Sequence, residues 1–378
     1  MINKIRLIIS CLVILSATAQ SKKEVSFTIK NPSGKVLKEA IINIPWQKLL
    51  QIYPKTDSTN FKIINSATKR EIPYQREYLG NSGIQNLLLQ LDLPANSKIS
   101  LSLKNGKPAP VIAKTYGRYV PERKDDFAWE NDKIAFRMYG KELEKTPAEM
   151  AYGIDVWAKR TTKLIINERY KRGEYHIDHG DGLDYYHVGL TLGAGNMMPF
   201  VNDTIYYSKN YASYKVLDNG PLRTTFQLIY DNWTVCKQSL KAIKTISLDA
   251  GSQLNKITVQ YFGNKEKDLQ VVAGIVTRKE SGVKYLNEQN GVVAYWEPQH
   301  GEDGTTGVAC VFPNQIIKIK DKDGQLLAIT KTNDQNSITY YAGAVWDKAG
   351  AITNAKKWID YTNDFIELEK NKALIKVE

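Results

Sequence analysis

Residues 212–277 read ASYKVLDNGPLRTTFQLIYDNWTVCKQSLKAIKTISLDAGSQLNKITVQYFGNKEKDLQVVAGIVT. The apolar runs in it, Ala212–Leu217, Leu222–Tyr230, Lys241–Leu248, Leu254–Phe262 and Leu269–Thr277, are short and rich in β-branched and aromatic residues. Turn residues such as Asp218-Asn219-Gly220-Pro221 separate them, which predicts strands. The pattern continues at Val292–Glu297, Val308–Phe312, Leu326–Thr330 and Ser337–Ala344, with Asp321-Lys322-Asp323-Gly324 as a further turn. Strands at this density bury their apolar faces by packing sheet on sheet, so the expectation is a mostly β fold containing a large antiparallel β-sandwich. One helix is expected near the end, where Trp358, Tyr361, Phe365 and Leu368 recur at helical spacing as a core stripe, before a last strand at Ala373–Val377.

Upstream, Val25–Lys30, Ala40–Ile44, Phe61–Ile64, Leu87–Leu91 and Ile99–Leu103 are again strand-like, with turns at Asn31-Pro32-Ser33-Gly34 and Leu93-Pro94-Ala95-Asn96. Residues 20–110 are therefore expected to form a small N-terminal β domain closed by the linker Lys104–Pro110. Residues 111–378 are left for the large sandwich. At the start of the chain, Lys4 and Arg6 precede an apolar run, Leu7–Leu15, and then Ala17-Thr18-Ala19. This is the pattern of a signal peptide over residues 1–19 and of a secreted or periplasmic protein. No later segment is apolar enough to span a bilayer as a helix. Cys236 and Cys310 do not make a disulfide framework, whether or not they pair.

The formal charge is +12, or +10 without the first nineteen residues, which contribute Lys4 and Arg6 and no acid. A positive field favours a polyanion. Outside a cell that means an acidic or sulfated polysaccharide, and nucleic acid is not expected as a partner.

The densest chemistry is YHIDHGDGLDYYHVGLTLGAG, Tyr175–Gly195, which holds His176, His179 and His187 of the four histidines, beside Asp178, Asp181, Asp184, Tyr185 and Tyr186. Imidazole gives and takes protons near neutral pH, and the glycines permit sharp turns close to a ligand, so this is read as an active-site loop. The plain alternative is a surface turn with solvated histidines. His300 lies in a second Gly- and acid-rich loop, AYWEPQHGEDGTTG, Ala294–Gly307, after a strand that carries Glu297. If the two loops meet, all four imidazoles share a site. In the segment Glu122–Leu143, strand alternation sends Ile134, Phe136 and Met138 to one face and Ala135, Arg137 and Tyr139 to the other. Arg137 beside Tyr139 is thus a candidate anion and sugar contact, Arg123 a second cation for the substrate, and Trp129 a stacking platform. A face salt bridge for Arg137 and a core position for Trp129 are the alternatives. His176-x-x-His179 with Asp178, Asp181 or Asp184 is a conceivable divalent metal site, although the spacing is not diagnostic; no other cofactor is expected. No P-loop, nucleophile elbow or dinucleotide fingerprint is present.

Elimination from a uronic acid needs a base for the proton beside the carboxylate, donors for the charge that develops there, and an acid for the leaving oxygen. His, Tyr and Arg supply these parts. The stretches ERKDDFAWENDKIAFRMYG, YHIDHGDGLDYYHVGLTLGAG and YWEPQHGEDGTTG resemble DUF4861, a family of secreted proteins of polysaccharide-utilisation systems. The resemblance implies a β-sandwich of the galactose-mutarotase-like (supersandwich) type. For one branch, associated with ulvan, it implies an oligosaccharide dehydratase that removes water from a terminal uronic acid. It also has Lys more often at the position of His187, so His187 is given no proton transfer. The expected function is thus a lyase acting on acidic oligosaccharides, with His179 and Tyr186 as the acid–base pair and His176 in support. Arg137, Arg123, Trp129, Asp184, Tyr185, Glu297 and His300 are the expected substrate contacts. The rivals are a sugar-binding module without catalysis and an epimerase using His300 and Glu297.

Overall fold

A computed structural model describes residues 26–265, 268–313, 316–371 and 376–377. The expected signal peptide, residues 1–19, lies outside them. The opening stretch forms the heart of an eight-stranded antiparallel sheet. Its order is Ser213–Asn219, Arg223–Val235, Gln238–Asp249, Leu254–Phe262, Ser337–Trp346, Thr306–Val311, Val292–Trp296 and Val283–Asn287. The two longest strands pair from Arg223↔Asp249 to Val235↔Gln238 around a tight turn at Cys236, whose φ of 52° is left-handed. Cys236 is exposed, Cys310 is buried, and both thiols are free.

Alternation then sorts the side chains. Phe226, Leu228, Tyr230, Ala242, Ile246, Ile257 and Val259 face inward and are almost fully buried. Burial of each large apolar side chain contributes about 1.5–3 kcal/mol, so this face holds the sandwich closed. Opposite it lies a five-stranded sheet, Thr204–Ile205, Ala194–Val201, Gln270–Val276, Gln325–Lys331 and Lys318–Lys322, which brings Met197, Val271, Ala273, Ile275 and Ala328 to the same core. The C-terminal helix, Ala355–Asn371, buries Trp358 and Ile366 beside Val292, Ala294, Ala309 and Val345 on the far side of the eight-stranded sheet. The expected stripe is therefore core packing.

A four-stranded sheet covers the rest of the inner core and carries the site. Its order is Asp155–Trp157, Ala135–Met138, Asp126–Asn131 and Thr115–Val120, and only the segment around Ala135–Met138 was expected as a strand. Phe136 and Met138 enter the main core, whereas Ala135 turns to a small cluster with Val120, Ala128, Trp157 and Ile166.

The N-terminal part builds a core of its own from Phe27, Ile29, Ile44, Phe61, Leu87, Leu89 and Leu101. Its two sheets are Lys376–Val377 with Phe27–Asn31, Ser97–Asn105 and Phe61–Asn65, and Leu37–Pro45 with Asn86–Leu93 and Tyr74–Glu77. The last strand thus returns to the first one, Ile29 opposite Val377, so the N-terminal unit includes residues from the chain's other end.

Candidate functional site

Asp155 stands opposite Arg137 in the strand register, so the two side chains meet across the ladder. Arg137 donates to Asp155 Oδ2 through Nε at 2.9 Å and Nη2 at 2.6 Å. The same Nη2 reaches Asp184 Oδ2 at 3.0 Å, and Nη1 lies 3.5 Å from Asp126 Oδ2. Tyr139, on the same face as Arg137, donates to Asp155 Oδ2 at 2.9 Å, and Tyr170 donates to Asp126 Oδ2 at 3.1 Å. Rings of Tyr139, Trp157 and Tyr175 lie 5.1 to 5.6 Å from the guanidinium carbon.

Asp184 arrives from the histidine loop, which is stitched onto the end of the strand Asp155–Trp157. Ala158 N–H donates to Leu183 O at 2.9 Å, and the buried Arg169 donates to Ala158 O at 2.8 Å and Asp181 O at 3.0 Å. Gly182 passes so close that a Cβ there would sit 2.2 Å from Ala158 O, and its φ of 106° excludes other residues as well.

Three carboxylates around one guanidinium cannot all ionise cheaply. Burial, reinforced by the charge of Asp155, pushes Asp184 up to about 8 against the opposing pull of Arg137 and Arg169. Burial likewise pushes Asp126 up to about 6, with Arg137 and Arg123 opposing. Asp184 thus holds its proton more tightly than an ordinary carboxyl. Burial also holds the Tyr139 and Tyr186 phenols well above their ordinary value, so both remain hydrogen-bond donors.

Above this group opens a cleft of about 550 Å³, floored by Arg137, Asp155, Asp184, Tyr139 and Tyr186 and rimmed by His176, His187, Glu149 and Leu190. The Tyr186 hydroxyl is buried and has no hydrogen-bond partner among the described residues. His176 stands at the mouth, its side chain 68% exposed, with Nδ1 2.7 Å from Asp184 O and 3.8 Å from Asp184 Oδ2.

The expected residues are only partly brought together. His176, Asp184, Tyr185, Tyr186 and Arg137 line the cleft, and His179 does not. Asp178 accepts from Gly180 and Gly182 N–H and pairs with Arg160 at 2.5 Å, closing the turn so that His179 points outward to Glu174, 3.5 Å away. The pairing of His179 with Tyr186 is therefore corrected. Trp129 is corrected too: it is fully buried, stacked on Phe136 with centroids 5.6 Å apart, and its Nε1 donates to Asn255 at 2.7 Å, so no sugar ring reaches it. The Arg137 fork is taken up by Asp155 and Asp184, which leaves no bidentate face for an incoming anion. Arg123 lies behind the rim, donating to Tyr175 Oη at 3.2 Å and approaching Glu149 at 3.4 Å.

The two histidine-bearing loops do meet. Tyr185 packs on His300 with ring centroids 5.3 Å apart and accepts a hydrogen bond from Thr306 at 2.6 Å. Glu297 is buried and pairs with Arg278 at 2.6 Å; burial pushes it up to about 7 against that pairing. Arg278 covers the Tyr186 ring at 4.8 Å and donates to His187 O at 2.8 Å. His300 pairs with Asp303 at 3.0 Å and stays outside the cleft.

Aspartates 178 and 181 are held by arginines 160, 169 and 172, and Arg137 already fills the centre of the Asp126–Asp155–Asp184 group. Among the described residues no cluster of three or more His, Cys, Asp or Glu is disposed to hold a metal ion. Asp126, Asp155, Glu149 and Arg278 escaped the sequence reading. Asp155 carried one usable signal, an isolated acid inside the apolar run Gly153-Ile154-Asp155-Val156-Trp157.

The architecture and the cleft define a mostly β, multi-sheet protein with a buried acid–arginine site at the edge of its sandwich. The chain belongs to the family described as a domain of unknown function, DUF4861, whose model matches residues 29–373. Uncharacterized protein P7 of Formosa agariphila is 32% identical over 339 residues, spanning 84% of this chain and 85% of that one. Among solved structures, similarity extends to an alpha-mannosidase and to a protein in glycosyl hydrolase family 38, both from Enterococcus faecalis. Each has 10% identity and a TM-score of 0.48 over 85% of this chain, which spans 42% and 44% of their lengths.

Proposed function

We propose that this protein is a secreted or periplasmic carbohydrate-active enzyme that eliminates water from a terminal uronic acid of an acidic oligosaccharide. The observation that carries the reading is the Asp184 carboxyl in the cleft floor, bound by Arg137 beside Asp155. Burial beside Asp155 raises Asp184 to about 8, so it holds its proton more tightly than an ordinary carboxyl. A carboxyl that keeps its proton donates a hydrogen bond or a proton where an ionised one cannot. Charge builds on the substrate carboxylate above the Arg137-centred floor as the neighbouring C–H proton leaves for His176 at the rim. The C–O bond to the leaving hydroxyl breaks, that oxygen takes the Asp184 proton and departs as water, and a C=C bond remains. Arg137, Tyr139 and Asp155 position Asp184.

Incubation with a panel of uronic-acid oligosaccharides tests this. Loss of one water by mass spectrometry together with new near-ultraviolet absorbance is expected, and an unchanged mass across the panel overturns the reading. Glycoside hydrolysis is the second reading. It is favoured by Asp155 and Asp184 sharing one Arg137 nitrogen, a paired-carboxylate arrangement in which burial raises Asp184. It predicts new reducing ends without absorbance. A sugar-binding module without catalysis loses its Trp129 platform, and an epimerase on Glu297 and His300 meets Glu297 sealed beneath Arg278.

A further inference from the structure

A second concavity, of about 470 Å³, lies between the N-terminal unit, the outer face of the eight-stranded sheet and the C-terminal helix, and shares no lining residue with the cleft. Its floor is made by the outward positions of three adjacent strands, Thr225, Thr245, Ser247 and Thr258. These hydroxyls are ordered by cross-strand hydrogen bonds: Thr225 with Ser247 at 3.0 Å, Gln227 with Thr245 at 3.2 Å, and Thr258 with Thr339 at 2.8 Å. One side is aromatic, Tyr341 against Phe365 with centroids 4.9 Å apart; the other is Ile41, Asn43 and Asn86 of the N-terminal unit.

The charged end is internally balanced. Arg223 is bound by Asp249 and by Glu77, whose other oxygen accepts from Asn86 at 2.6 Å. The walls are also fixed relative to each other. Gln75 accepts from Leu222 and Arg223 N–H at 2.8 Å, and Asp218 accepts from Tyr78 and Leu79 N–H at 2.7 and 2.6 Å. The concavity is thus a preformed groove, within the ~300–1,000 Å³ range of small-ligand sites.

We propose that this groove is a second glycan-binding site and takes a neutral stretch of polysaccharide. Sugar hydroxyls both donate and accept, as the threonine and serine floor does, and the apolar faces of pyranose rings suit the Tyr341–Phe365 edge. An anionic chain is disfavoured, because the two cations lining the groove, Arg223 and Lys256, are outnumbered by Glu77, Asp249 and Glu369, and Arg223 is already bound by two of these acids. The inference stands on the groove's own chemistry and is independent of the reaction assigned to the cleft.

Affinity electrophoresis of the full chain reads binding without turnover. The gels contain galactan, glucomannan or arabinoxylan, with polygalacturonate as the anionic control. The wild type is expected to be retarded by at least one neutral glycan, and Asp184→Asn to be retarded equally. Thr245→Trp, which fills the floor, is expected to lose retardation at least 5-fold in affinity. Asn43→Trp blocks the groove from the exposed opposite wall and is expected to do the same, which keeps the test open if Thr245→Trp folds poorly. The proposal is overturned if no neutral glycan retards the wild type, if a folded groove variant is retarded as strongly as wild type, or if Asp184→Asn alone abolishes retardation.

Discussion

Asp184 is the residue on which the proposed chemistry turns, and its environment makes two separable predictions. A carboxyl whose folded pKa exceeds its unfolded one holds its proton more tightly in the native state. Its contribution to stability is complete below the ordinary value of 3.8 and is lost as pH rises through about 8. Asp126, raised to about 6, acts in the same direction at lower pH. Asp184→Asn should therefore lose less melting temperature than wild type between about pH 5 and pH 9; parallel curves for the two proteins would remove the raised value from the argument. As the proton donor, Asp184 should also lower turnover ~10²–10⁴-fold when changed to Asn, and wild-type turnover should fall above about pH 8. Arg137 behaves otherwise than its sequence context suggests. On a solvated strand face, Lys would replace it at little structural cost. Here it is 4% exposed and holds three carboxylates, so Arg137→Met is expected to cost about 3–5 kcal/mol of unfolding free energy, measured by denaturant titration.

At the scale of elements, the site exists because three short strands, Asp126–Asn131, Ala135–Met138 and Asp155–Trp157, put Asp126, Arg137 and Asp155 on the face turned from the main core. The opposite face of the same sheet anchors it. Phe127 and Trp129 pack under Phe226 of the eight-stranded sheet, and Trp129 also stacks on Phe136 and bonds Asn255. Removing that indole leaves a cavity and an unpaired buried amide. Trp129→Ala should thus lose about 3–5 kcal/mol of stability, by chemical denaturation. A Trp129→Phe variant that stays folded should bind sugar as the wild type does; a specific loss of sugar binding in that variant would restore the stacking role.

Across the whole molecule, one arginine ties the N-terminal unit to the sandwich. Arg223 reaches Glu77 at 3.0 Å and Asp249, and its backbone meets Gln75. Truncation would leave Glu77, almost fully buried, without its countercharge. Arg223→Ala is accordingly expected to lower the melting temperature and to open the segment 105–114 to limited proteolysis. Unchanged melting and an uncut linker would mean that the Gln75 and Asp218 contacts hold the joint without it.

The strands Arg223–Val235, Gln238–Asp249 and Leu254–Phe262 and the C-terminal helix were legible in the sequence because each has a wetter face and a dry one, and alternation or helical spacing records that asymmetry; Gln270–Val276, buried on both faces, was legible as a continuous apolar run. The strand Ala194–Val201 was not legible: it is buried on both faces and carries Gly195, Asn196 and Pro199, so no alternation survives. Of the site, the histidine loop was visible by composition, and its Asp184, Tyr186 and His176 do reach one cleft. Which of its histidines would face outward was not visible, because that depends on Asp178 closing a turn against Arg160. The sequence by itself determined the β architecture and the loop that lines the cleft. Only the tertiary structure decided that Arg137, Asp126, Asp155 and Asp184 form one buried group, because residues 126, 137, 155 and 184 become neighbours through strand register and loop docking, and that burial raises Asp126 and Asp184.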